Sequence, residues 1–170
     1  LLGEAARKAG RPKRAAEAYE AALALEPRDA ESHCALAEIR SELGELARAA
    51  PEWRWCAELD EGRRAEAEAK AAALAPEDAE FGHASGYAFM MAVPQDLVSD
   101  GGDRGNDASR LALYENGERL GPAHQGHDHI AERGRGRYSH FEGALFFSTS
   151  DNSDPNLNGR RYAYKIEDGR

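Results

Sequence analysis

The sequence is poor in cysteine and has no long apolar run. It contains two cysteines in 170 residues, and no stretch of 18 consecutive apolar residues occurs, which excludes a transmembrane helix. Cys34 and Cys56 are too few for a disulfide framework, and the absence of a Cys-x-x-Cys spacing excludes the common zinc sites. We therefore expect two free thiols packed within helices, in a reducing, cytoplasmic setting.

Positive charge is also scarce. The 22 lysines and arginines are outnumbered by 31 aspartates and glutamates, which gives a formal net charge of -9. This balance excludes non-specific binding of nucleic acid or of an anionic membrane surface, because both need clustered positive charge. The chain begins at Leu1 rather than Met and carries no signal-peptide pattern, so we expect it to be a piece of a longer protein.

The composition changes near residue 80. Only four of the 17 glycines and three of the 13 aromatic residues precede that point, whereas alanine and glutamate dominate before it. Alanine and glutamate favour helices, and glycine with aromatic residues favours strands and turns. The sequence therefore predicts an α+β protein, with a helical domain at residues 1–80 and a small β-rich module at residues 81–170.

The helical half repeats itself. The segment "AALALEPRDAE" at 21–31 is echoed by "KAAALAPEDAE" at 70–80. A proline after an apolar helical run ends a helix, and the following aspartate can cap the next one.

This pattern resembles the tetratricopeptide repeat, a helix–turn–helix unit of about 34 residues. Two sets of residues carry the resemblance, namely Leu2, Gly3, Gly10, Ala15, Tyr19, Ala22 and Pro27 in the first unit, and Leu36, Ala37, Gly44, Ala49, Trp53 and Cys56 in the second. Pro51 departs from the pattern, since it would fall inside the second helix of the second unit. We expect a helix to restart at Pro51 and to continue to Ala75.

The resemblance implies a non-catalytic protein–protein interaction scaffold without a cofactor. Its partner-binding groove would be lined by positions of the first helix of each unit, here Glu4, Arg7, Lys8, Glu31, Cys34, Glu38, Ser41 and Glu42. In the second unit these positions are acidic and favour a basic or amide-rich peptide.

The second half has hairpin signals. Asn116-Gly117 and Glu142-Gly143 each stand between two short apolar runs, and both predict a β-hairpin. Tyr162, Tyr164 and Ile166 alternate along a further predicted strand, while the apolar run at 87–93 fits either a strand or a helix end. Residues 99–107 are predicted to form a flexible acidic loop.

Three histidines are weak candidates for a metal site. His124, His127 and His129 offer imidazole ligands that a transition metal accepts, and the last two would share one face of an extended segment. The alternative is a polar loop with solvated histidines. Ser139-His140 gives no catalytic pattern, because no acid can be assigned to orient the histidine.

The stretch "STSDNSDPNLNGRRY" at 148–162 is rich in side-chain oxygens. Its candidate ligand residues are Asp151, Asn152, Asp154, Asn156 and Asn158. The Asp-x-Asn-x-Asn-Gly spacing is how calcium loops begin, but Lys165 occupies the twelfth position, where such a loop needs an acid. A structured polar turn and a sugar-binding loop are the other interpretations.

The second half also resembles a short β module of bacterial glycan-related proteins. The residues that carry this resemblance are "LVSDGGD", "RLALYENGERLGPAH", "GRYSHF" and "FSTSDNSDPNLNGRRY". It implies an alternative function, in which the region recognises a glycan on behalf of a larger polysaccharide- or glycan-modifying transferase.

Overall fold

The computed structural model describes residues 2–74, 80–100 and 109–167, and the chain divides into two compact units, Leu1–Glu77 and Asp78–Arg170. In the first unit the helices are α1 (Leu2–Lys8), α2 (Pro12–Leu25), α3 (Ala30–Glu42), α4 (Leu46–Leu59) and α5 (Arg64–Leu74). In the second unit the elements are β1 (Gly82–Ser85), β2 (Ala88–Ala92), β3 (Leu111–Glu115), β4 (Glu118–Arg119), α6 (His127–Arg133), β5 (Tyr138–Phe141), β6 (Ala144–Phe147) and β7 (Tyr162–Ile166). This order confirms the predicted α+β class.

The first unit is built from antiparallel helical hairpins. Gly10 and Gly44 end the first helix of each hairpin with φ of 66° and 74°, a conformation that side chains disfavour. Gly3 of α1 lies against the ring of Tyr19 on α2, and a Cβ atom at Gly3 would be 2.7 Å from that ring. The close approach explains why a glycine stands opposite an aromatic residue in this hairpin.

Helix α4 differs from the prediction. It begins at Leu46, passes through Pro51 and ends at Leu59, so the expected restart at Pro51 and the extension to Ala75 are wrong. Proline supplies no N–H for the carbonyl of Ala47, four residues earlier, and Arg40 donates a hydrogen bond of 3.1 Å to the next carbonyl, that of Arg48. After α4 the carboxylate of Asp60 accepts from the N–H of Arg63, which starts the turn into α5.

The two cysteines also differ from the prediction. Cys34 on α3 and Cys56 on α4 form a disulfide, so the expectation of free thiols is wrong. Antiparallel packing brings their Cα atoms to 4.8 Å, within disulfide reach. The sequence indicated that both lie in helices, but not that they face each other.

Strands in the described part of the second unit form two antiparallel sheets, with orders β1-β2-β6-β5 and β4-β3-β7. Both predicted hairpins are confirmed. Their turns use positive φ, at 51° and 87° for Asn116 and Gly117 and at 45° and 80° for Glu142 and Gly143. The run at 87–93 contains strand β2, whereas residues 101–107 of the predicted acidic loop lie outside the described residues.

Apolar residues of both sheets and of the segments beside them form the core of the second unit. It contains Phe81, Phe89, Val93, Leu111, Leu113, Leu120, Tyr138, Leu145 and Phe147. The first unit instead buries many alanines, which contribute little apolar area each, around Trp53, Tyr19 and Leu36.

Replacement of both Cys34 and Cys56 by serine should lower the free energy of unfolding of the helical unit. The bond closes a loop across a sequence separation of 22, and cross-links of that span stabilise by about 3 kcal/mol. Urea unfolding of the full chain, followed by far-UV circular dichroism, measures the loss. Reductant should shift the wild-type transition and leave that of the double variant unchanged; a wild type insensitive to reductant would contradict the prediction.

Candidate functional site

Helices α1 and α3 carry all eight predicted groove residues, and ion pairs join these two helices. Arg7 of α1 contacts Glu38 of α3 at 2.7 Å, and Glu38 also contacts Arg63, just before α5, at 2.5 Å. A weaker contact of 3.5 Å joins Arg7 to Glu42. Of the predicted groove residues, Arg7, Glu38 and Glu42 are therefore brought into contact across α1 and α3.

Glu38 is the central residue of the ion-pair ladder, by which we mean the series of ion pairs Arg7–Glu38–Arg63. Partial burial raises the pKa of its carboxyl, but hydrogen bonds from Arg63 and Arg7 outweigh that effect and hold the pKa below the ordinary value. Glu38 therefore stays ionised and is largely neutralised by its two arginines. Glu4 and Lys8 pair with each other along α1 at 2.6 Å.

Two of the predicted groove residues are committed to internal bonds. Cys34 is 2% exposed and belongs to the disulfide, so it offers no surface to a partner. Ser41 donates to the carbonyl of Ala37 and accepts from the indole N–H of Trp53 at 3.0 Å. Glu31 and Glu42 are exposed.

Behind this face lies a buried ionic cluster that sequence reasoning missed. The carboxylate of Glu52 on α4 contacts Nδ1 of His33 at 2.6 Å and Nη1 of Arg40 at 2.5 Å, and both partners lie on α3. Nη2 of Arg40 continues to Glu20 on α2 at 2.7 Å. In the sequence, these residues are charged or polar side chains at helix positions that face inward. The repeat resemblance gave them no role, so they were not predicted.

The three histidines of the weak metal prediction do not share a face. Residues 127–133 form helix α6 rather than an extended segment, so His127 and His129 point in different directions. The ring of His127 stacks on Phe146 at 4.0 Å, while His124 pairs with Asp100 at 2.7 Å. Within residues 2–74, 80–100 and 109–167, no group of three or more His, Cys, Asp or Glu residues could hold a metal ion.

The polar stretch at 148–162 forms a tightly bonded loop. A carboxylate oxygen of Asp154, which is fully buried, accepts from the N–H of Asn156 at 2.9 Å. The amide of Asn156 in turn bonds both backbone groups of Phe81, at 2.8 Å and 2.9 Å. Asn158 donates to the hydroxyls of Ser153 and Tyr162.

The remaining candidate residues of this loop also bond within the unit. Asp151 forms a two-pronged ion pair with Arg160, and Asn152 accepts from the N–H of Arg135 at 2.6 Å. Arg160 also reaches Glu115, whose carboxylate accepts a short hydrogen bond from Ser150. The structure thus supports the interpretation of the stretch as a polar turn, since these side chains fix the backbone around them.

Comparison with known proteins finds a match for one part of the chain. The family model described as "Tetratricopeptide repeat" matches residues 1–39, and the helical hairpins of the first unit are consistent with such repeats. No curated protein and no solved structure matches the chain. Among the described helices, none is long and apolar enough to cross a membrane.

Asp151 should make the stability of the second unit depend on pH. Partial burial raises the pKa of this carboxyl, but hydrogen bonds and charge from Arg160 and Ser153 outweigh it and lower the pKa to about 2. A depressed folded-state pKa gives stability that is present above the unfolded value of 3.8 and is lost as the pH falls towards 2. The screened contribution is about 1 kcal/mol.

Acid titration of thermal unfolding, compared between wild type and Asp151→Asn, isolates this contribution. The difference in stability between them should shrink between pH values of about 4 and 2. Glu118→Gln, at an exposed carboxyl on β4, is the matched control. A difference that stays constant over this range would refute the assignment.

The polar loop should be insensitive to calcium, because its oxygens already accept internal hydrogen bonds. Asn156→Ala should instead lower the free energy of unfolding by about 2 kcal/mol, since it leaves the buried backbone groups of Phe81 without partners. Thermal unfolding with and without chelator measures both effects.

Gln125→Ala, which removes one local bond to the carbonyl of Ala123, is the control and should cost much less. A calcium-dependent wild type beside a calcium-independent Asp154→Ala variant would show that the loop is a metal site after all.

Proposed function

We propose that the chain is a non-catalytic protein–protein interaction scaffold, whose helical unit binds a segment of another protein across α1, α3 and the start of α5. The observation that carries the proposal is the ion-pair ladder from Arg7 through Glu38 to Arg63, which aligns these elements as one surface. The family match over residues 1–39 supports it, because stacked helical repeats commonly present such surfaces to partners.

The net charge of this face indicates which kind of peptide it would bind. Glu38 and its two arginines, Arg7 and Arg63, together carry one net positive charge, whereas Glu4 and Lys8 cancel each other. Glu31 is exposed, and the side chain of Glu42 is 61% exposed with only a distant contact to Arg7. Glu31 and Glu42 add two negative charges against that single positive charge, so the face is acidic by one net charge and favours a basic or amide-rich peptide.

The disulfide favours an oxidising compartment over the cytoplasmic location expected from the sequence. Disulfides persist in secreted, periplasmic and cell-surface proteins, whereas cytoplasmic thiols are kept reduced. The Cys34–Cys56 bond is buried, and its cysteines belong to the helical unit that forms the proposed binding face. We place the functional form of the scaffold in such a compartment.

A random peptide library displayed on phage and selected on the full chain tests the proposed function. We expect selected peptides to be rich in lysine, arginine or glutamine and to lose about tenfold in affinity for the variant Glu31→Lys/Glu42→Lys. Added salt should weaken binding to the wild type, because exposed charges are screened. Fluorescence anisotropy of a labelled peptide gives the affinities.

Glu17→Lys is the matched control, because Glu17 is an exposed glutamate on α2, outside the proposed face. Peptides that bind this control and the double variant equally well, or a selection that enriches acidic peptides, would contradict the proposed surface. Circular dichroism of each variant confirms that the helices remain folded.

A further inference from the structure

Strand β7 lies at an edge of its sheet, with β3 as its neighbour on one side among the described strands. At the two ends of β7, the carbonyl of Arg161 and the N–H of Glu167 form hydrogen bonds of 2.8 Å with the residues that flank β3. Backbone groups alternate in direction along an antiparallel strand, so those of Tyr162, Tyr164 and Ile166 point away from β3. Within the part of the chain that the structure describes, no hydrogen bond reaches these outward groups. The edge therefore offers a row of donors and acceptors to another strand.

The other edges of the described sheets are protected from such pairing. At β5 the outward N–H and carbonyl groups of Tyr138 and His140 all bond to neighbouring loop residues. Strand β4 has two residues, both charged, and the register of β1 is interrupted by an irregularity. Short strands, charges and irregularities keep sheet edges from pairing. Strand β7 instead has five residues in unbroken register with β3, and its one charged residue is Lys165.

The residues of β7 are complementary to those of a second β7 that runs antiparallel. A two-fold axis at Tyr164 places Tyr162 opposite Ile166 of the second copy, and Tyr164 opposite Tyr164 of the second copy. Every outward N–H and carbonyl group then has a partner, because these are the hydrogen-bonded pairs of an antiparallel ladder. Aromatic–aromatic and aromatic–β-branched pairs across strands stabilise a sheet, and the pairing also covers Ile166, which is 52% exposed.

The opposite face of the strand is complementary as well. The same axis places Arg161 opposite Glu167 of the second copy, and Ala163 opposite Lys165, so no like charges stand directly opposite each other. Arg161 is exposed, and the side chain of Glu167 is 41% exposed with a contact of 3.0 Å to Arg119 of its own chain. Exposed ion pairs contribute little stability, so this pair determines the register of the two strands more than their affinity.

We propose that β7 is an interface between two copies of this chain, which pair antiparallel about Tyr164. Their three-stranded sheets then become one continuous sheet, and the second copy satisfies the outward groups of the edge. The pairing of two five-residue strands is a small interface, so we expect a reversible dimer whose population rises with concentration. This inference does not depend on the peptide binding proposed for the helical unit.

Sedimentation velocity of the full chain over a concentration series tests the proposal. We expect the weight-average mass to rise with concentration towards that of two chains. Ile166→Pro removes one outward N–H and leaves the bonds to β3 in place, so it should keep the mass at that of one chain throughout. Ile166→Thr is the matched control, because it keeps the N–H and a β-branched side chain, and it should still dimerise.

Charge variants test the register. Arg161→Glu should weaken the dimer about tenfold, since symmetry places two pairs of like charges at the interface, and Arg161→Glu/Glu167→Arg should restore it to within about threefold. Arg133→Glu, at an exposed residue of α6, makes the same change in net charge and should have no effect.

Far-UV circular dichroism establishes that each variant is folded; if Ile166→Pro is unfolded, the charge variants decide. The proposal is overturned if the wild type has the mass of one chain at every concentration, which would leave the edge to a strand of another protein. It is also overturned if a folded Ile166→Pro variant still dimerises, or if the charge exchange does not restore the dimer.

Discussion

The helical unit depends on one buried carboxylate. Glu52 is 1% exposed, and it is shared between His33 and Arg40, which are equally inaccessible. The other ring nitrogen of His33 lies 2.9 Å from the carbonyl oxygen of Pro27, so the ring is held on both sides. Removal of one partner from such a cluster leaves an uncompensated charge in the interior, which is strongly destabilising. In a core built largely of alanine, this cluster fixes how α3 and α4 face each other.

In the second unit, hydrogen bonds and ion pairs of polar side chains hold the loop at 148–162 in place. Asn156 bonds both backbone groups of Phe81, as a neighbouring strand would, and Arg160 joins Asp151 to Glu115. Aspartate and asparagine are the residue types that calcium and sugars also select, so composition alone could not separate the two uses. The difference lies in where each oxygen finds its donor, which depends on residues as far away in the sequence as Phe81.

Local features of the fold were predictable, and long-range pairings were not. Both hairpins followed from dipeptides that tolerate positive φ, and the first helical hairpin followed from its glycine and aromatic spacing. The disulfide could not be predicted, because it depends on how two helices face each other. Similarly, the neighbour of His140 in the sequence is Ser139, but its partner in space is Ser109, 31 residues away. Side-chain clusters in the second unit can therefore be identified only when the pairing of the strands is known.

The position of the disulfide has a consequence for the order in which the helical array assembles. Repeat arrays gain stability from each unit and from its contacts with neighbours, so folding can start in any unit and spread outward. The bond joins the two helices of one hairpin, α3 and α4, and reduces the chain entropy of that hairpin alone. The α3–α4 hairpin is therefore the natural nucleus of the array, and the outer helices α1 and α5 are the ones that fray while the nucleus persists.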